Sequence, residues 1–120
     1  MLPRNKYSDV SDIDLLKIIV EKKGYVVSIC NYTMNYCRCT DGTIFHAEDK
    51  LFYFELMIDN RMHVIPNRYH QKVDSWQAHG APVFISSNNG KAEYPAAWSK
   101  SLCRAIGECY LLGEDFKAKG

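Results

Sequence analysis

Two carboxylates, Asp41 and Glu55, carry the clearest hint of chemistry in this sequence. Thr40-Asp41-Gly42-Thr43-Ile44-Phe45 reads as one strand and Leu51-Phe52-Tyr53-Phe54-Glu55-Leu56-Met57-Ile58 as the next. Between them, His46-Ala47-Glu48-Asp49-Lys50 is short and polar enough to turn the chain. With the turn centred on Glu48, Asp41 stands across from Glu55, and the even register puts both on one sheet face. Two acids held that way predict a divalent cation. Magnesium and manganese prefer oxygen ligands and keep several waters, so Asp41, Glu55 and the carbonyl of Leu56 would make a sufficient site. Such an ion polarises a phosphodiester, activates a bound water and stabilises the departing oxygen. Taken singly, each acid has an ordinary explanation: Asp-Gly is a common turn pair, and Glu55 alternates with apolar residues as a solvent-facing strand residue does.

The flanking elements must position this pair. Ser8 or Ser11 with Asp9, Asp12 and Asp14 predicts a helix start, and Ile13, Leu16, Ile19 and Val20 follow helical spacing to Lys22-Lys23-Gly24, giving a helix over about 9–23. Tyr25 to Cys30 has strand composition, and Asn31 to Cys39 reads as loop. A loop runs from Asp59 to Pro66. Tyr69, Val73 and Trp76 then fall on one face of a helix over 67–79 that stops at Gly80, followed by a short buried strand, Val83 to Ser87. A strand, helix and further strand imply a right-handed crossover with parallel pairing. Asn88-Asn89-Gly90 is a turn, and Pro95 opens a last helix with Trp98, Leu102, Ile106, Cys109 and Tyr110 on its apolar side. The expected fold is α/β: one domain over 1–120, with an αβββαβ core at about 9–87, a mixed sheet and a C-terminal helical extension at 91–120.

Composition bounds the function classes. At 120 residues and 47% hydrophobic content the chain has material for one core, and a net charge of +1 gives no global field for nucleic acid or an anionic membrane. Any nucleic-acid contact must come from a local patch. Arg61, Arg68, Lys72 and Lys91, interleaved with His63, Tyr69 and His70, could form such a phosphate-binding rim, with Arg38 as a further cation. A solvated helix face explains the same residues. No apolar run reaches the roughly 18 residues of a membrane span and no signal-type segment follows Met1, so a cytoplasmic protein is expected. Cys30, Cys37, Cys39, Cys103 and Cys109 are odd in number, which favours reduced thiols. Cys37-Arg38-Cys39 invites zinc, but structural zinc sites usually present C-x₂₋₄-C pairs and two such pairs are absent; the four histidines have no metal spacing.

Asp41 on one strand and Glu55-Leu56-Met57 on the next, followed by Gln71 and then Gly80-Ala81-Pro82-Val83-Phe84-Ile85, resemble the PD-(D/E)XK nuclease superfamily over about 12–87. Within it the likeness is to virus-type replication-repair nuclease domains and Holliday junction resolvase-like domains, a restriction-endonuclease-like fold. It rests on order and spacing more than on identity. The resemblance implies a Mg2+- or Mn2+-dependent endonuclease acting as a homodimer on branched, flap or nicked DNA, or a catalytically inactive relative encoded by a virus or mobile element. It further implies Asp41 and Glu55 as metal ligands, Asp12, or second to it Asp14, as an added carboxylate from the first helix and Gln71 as a helper. Thr40 stands where the family has proline, and Met57 where it has a lysine that orients the attacking water and offsets charge on the phosphate. A thioether does neither. Lys72 could substitute, with Lys50 or Arg68 as weaker candidates. Otherwise the protein has lost catalysis and kept binding to nucleic acid or a protein, or the chain is an inactivated Lys-to-Met variant.

Overall fold

In a computed structural model, which describes residues 2–85 and 90–119, three helices lie between small antiparallel sheets. Helix α1 (Asp12–Lys22) begins where the chemistry requires: the Ser11 hydroxyl accepts the Asp14 N–H, and Asp12 and Asp14 sit at the positive end of the helix. It ends at Gly24, whose φ of 98° suits a residue without a Cβ. Strands β1 (Val27–Asn31), β2 (Tyr36–Cys39) and β3 (Ile44–His46) form an antiparallel meander. Ile13, Leu16 and Val20 of α1 pack on its inner face against Cys37, with Cys30 and Phe45 beside them.

The next element overturns the hairpin expected from the sequence. Residues Lys50–Asp59 are helix α2, not a strand. Asp49 is its N-cap and accepts the N–H groups of Leu51 and Phe52, satisfying donors that the first turn leaves unpaired. Tyr53 and Leu56, three apart, are its buried residues and meet Leu15 and Ile19 of α1. The segment expected as a helix over 67–79 is instead a β-hairpin of β4 (His63–Tyr69) and β5 (Lys72–His79), turning through His70 and Gln71. Both turn residues have positive φ, 51° and 68°, the signature of a type I′ turn.

Beyond it come β6 (Val83–Phe84), β7 (Ala92–Glu93), β8 (Ala96–Ser99) and helix α3 (Leu102–Lys119). Ser86 and Ser87 of the expected strand, and Asn88 and Asn89 of the expected turn, lie outside the described residues. Pro95 precedes a strand, so Trp98 belongs to β8 rather than to the last helix. Strand β8 joins the hairpin in the order β4-β5-β8, and β6 pairs with β7. Every pairing among the described strands is antiparallel, so the expected parallel crossover and mixed sheet do not form there.

Helix α3 is part of the core rather than an extension. Ala105 and Cys109 pack on Ala78 and Ala97 of the β4-β5-β8 sheet, while Ile106, Tyr110 and Leu111 meet α1 and α2. Arg104 ties the N-terminal segment to this helix: its guanidinium donates to the carbonyls of Tyr7 and Val10 and pairs with Asp12 and Glu108. The result is a slab of 42 × 42 × 24 Å with helices in the middle and one face of each larger sheet turned away from them. Among the described residues no helix is long and apolar enough to cross a membrane.

Candidate nucleic-acid interface

The residues expected to hold a metal are dispersed. Asp41 lies in the turn between β2 and β3, where its carboxylate accepts the Thr43 N–H at 2.9 Å; that bond holds its pKa below the ordinary value. It borders a hollow shared with Lys23, Gly24, Tyr25, Val26 and Thr40, beyond the C-terminal end of α1. Asp12 is at the other end of that helix, about 16 Å away for eleven residues at 1.5 Å each. Its carboxylate is bonded to Arg104 at 3.0 Å. Glu55 is an exposed residue of α2, and the neighbouring Leu56 carbonyl accepts both the Asn60 backbone N–H and its side-chain amide.

This donor set does not fit a shared Mg2+ or Mn2+. Among the described residues no group of three or more His, Cys, Asp and Glu side chains is placed to hold a metal. Met57 packs against the cluster around Leu15 and Leu56. Gln71 is a turn residue rather than the start of a helix, and Lys72 begins β5. Arg68 is on β4, Arg61 follows α2, and Arg38 lies on the outer face of the other large sheet, between Ile29 and Ile44.

A different constellation assembles on the face of β4-β5-β8 turned away from α3. Directly paired residues share a face, so the register puts His63, Ile65, Asn67 and Tyr69 of β4 beside His79, Gln77, Ser75 and Lys72 of β5. Trp98 and Ala96 of β8 then flank Gln77 and His79. The imidazoles of His63 and His79 stack at 5.4 Å with 16° between planes, and the Trp98 ring meets His79 edge-on at 5.6 Å. A hydrogen-bonded chain runs beside them. His79 Nε2 bonds Gln77 Oε1 at 3.0 Å, the Gln77 amide donates to Asn67 Oδ1, and the Asn67 amide donates to Ser75 Oγ at 2.9 Å. The side chains are thereby held in place, yet each amide keeps an N–H or a lone pair to offer.

Comparison with family models, curated proteins and solved structures gives no match. The chemistry of the face must therefore be read from its residues. Around it the charge is cationic: from Arg61 to His79 the chain carries Arg61, Arg68 and Lys72 against Asp74, and Lys100 follows β8. Ile65 is the one large aliphatic residue in the paired rows. Flat π surfaces, fixed amides and a cationic margin suit stacked bases joined by phosphates better than they suit an apolar protein surface.

Of the cations that the sequence groups as a rim, Arg61 precedes β4, Arg68 lies on β4, Lys72 begins β5 and Lys91 precedes β7. Trp98 as a face residue, and Asn67, Ser75, Gln77 and His79, were not legible in the sequence. The available signal was the two-residue alternation of Ser75, Gln77 and His79 with Trp76 and Ala78, which the helical spacing of Tyr69, Val73 and Trp76 obscured.

Proposed function

We propose that this chain binds single-stranded DNA on the outer face of β4-β5-β8 and does not hydrolyse it. The observation that carries the reading is the row of His63, His79 and Trp98 rings beside the Gln77–Asn67–Ser75 chain on one sheet face. Bases stack on the rings, Gln77 and Asn67 address base edges, and Arg61, Lys72 and Lys100 neutralise phosphates. The metal-dependent endonuclease implied by the family resemblance needs Asp41 and Glu55 at one ion, and in place of the hairpin expected to pair them the chain has a turn and a helix. Loss of the motif lysine at Met57 agrees with binding without cleavage.

The test is fluorescence anisotropy with a labelled oligodeoxythymidine of roughly a dozen nucleotides at low salt, within the usual site size of a single-strand-binding surface. Trp98→Ala and His79→Ala are each expected to weaken binding about tenfold, the value of one lost stack at ~1–3 kcal/mol. Asp41→Ala and Glu55→Ala should leave it unchanged, and manganese should produce no cleavage. Folded wild-type protein that fails to bind the oligonucleotide refutes the proposal. Metal-dependent cutting abolished by Asp41→Ala restores the nuclease instead.

A further inference from the structure

On the inner face of the first sheet, Cys30 of β1 and Cys37 of β2 occupy directly paired positions with their sulfurs 3.8 Å apart. In an antiparallel ladder such partners have Cα atoms roughly 4.5–5.5 Å apart, whichever kind of pair they form, and this lies within the span a disulfide accepts. The two thiols differ in access. Cys30 is half-buried on a strand at the sheet edge, whereas Cys37 is fully buried against α1, its thiol 3.9 Å from the Ile13 carbonyl. The remaining cysteines have other surroundings: Cys39 pairs across the ladder with Val27, and Cys109 lies against the Pro95 carbonyl.

We propose that Cys30 and Cys37 form a thiol–disulfide exchange site, with Cys30 as the entry thiol, Cys37 as the resolving thiol and a small-molecule disulfide as the oxidant. The Cys30 thiolate attacks one sulfur of the oxidant, forming a mixed disulfide and releasing one thiolate. Cys37 then attacks the Cys30 sulfur, the second small-molecule thiol leaves with the Cys37 proton, and the cross-strand S–S bond remains. Two protein thiols are oxidised and one disulfide is reduced to two thiols. Burial, followed by the contact with Cys30, pushes the Cys37 thiol up to about 12, so it is a poor reagent toward solutes. Held beside the mixed disulfide, it reacts through proximity. The product ties β1 to β2 around the turn in which Asn31 caps Thr33 and Met34, directly beneath α1.

The experiment exposes the folded full chain to oxidised glutathione at mildly alkaline pH, blocks free thiols after denaturation and maps tryptic peptides by mass. Both cysteines fall in the peptide Gly24 to Arg38, and Cys39 begins the next. The expected product is that peptide two hydrogens lighter, unblocked and free of glutathione. Cys37→Ser should instead trap one glutathionyl group at Cys30, and Cys30→Ser should leave Cys37 unmodified until the chain is unfolded. The proposal is overturned if the wild-type peptide stays fully reduced, carries two glutathionyl groups, or is linked to the peptide containing Cys39. The wild-type result decides even if a variant fails to fold.

Discussion

Asp115 and the pair His70-Gln71 show how single positions set measurable properties. The Asp115 carboxylate accepts the Tyr7 hydroxyl at 2.6 Å and pairs with the Lys6 ammonium at 2.9 Å. Burial alone would raise its pKa, but these bonds outweigh it and hold the group below its ordinary value. The folded state therefore binds this proton less readily than the unfolded chain, whose aspartates titrate at about 3.9. The stabilisation is complete above that value and is lost as pH falls through the folded pKa. In urea titrations the wild type should lose stability more steeply below about pH 4 than Asp115→Asn, which should cost about 1 kcal/mol at neutral pH; parallel acid limbs would show that this contact contributes nothing. At the hairpin tip, His70 and Gln71 hold a left-handed conformation that Asn and Gly adopt with less strain. His70→Asn with Gln71→Gly is expected to raise stability by about 1 kcal/mol, or the melting temperature by about 4 °C, with the oligonucleotide affinity retained.

At the scale of elements, two glycines of α3 should respond in opposite directions. A Cβ on Gly107 would stand 3.0 Å from Ile19 and 3.2 Å from Leu15 and Tyr53, all buried where α1, α2 and α3 meet. Gly107→Val should therefore cost about 3 kcal/mol through overpacking and separate the helices. A Cβ on Gly113 meets Pro95 at an ordinary 3.5 Å, so Gly113→Ala should gain up to about 1 kcal/mol of helix propensity. Denaturant midpoints of the two variants should move to opposite sides of the wild type. The same packing explains what the sequence disclosed. Helix α1 was legible because its cap, acidic first turn, apolar spacing and glycine stop all agree. The 51–58 segment was not, because it is apolar on nearly every side; the deciding residue was Asp49, read as part of a hairpin turn although it caps α2. The β4-β5 hairpin was hidden by its turn, since His-Gln lacks the Asn-Gly signature of its conformation. Without those two elements, the sequence pattern pairs Asp41 with Glu55 across a register that the fold never forms.

For the whole molecule, a net charge of +1 leaves any interaction with a polyanion to charge placement rather than to total charge. Lys72 and Lys100 lie toward one end of the outer β4-β5-β8 face and Arg61 toward the other, across about 20 Å of strand, while Arg68, paired with Val73, alternates to the other face. If about three phosphates are neutralised, log affinity for single-stranded DNA should fall with log salt at a slope of about −2. Lys72→Ala should make that slope shallower by about 0.7, the share of one lost phosphate contact. Trp98→Ala should lower affinity at every salt concentration without altering the slope, since stacking releases no counterions. Exchanging charge on the opposite side of the slab, at Arg38 on the outer face of the first sheet, should change neither quantity. A slope that responds to Arg38 and ignores Lys72 would move the interface to that other sheet, with the fold and the aromatic row left as they are.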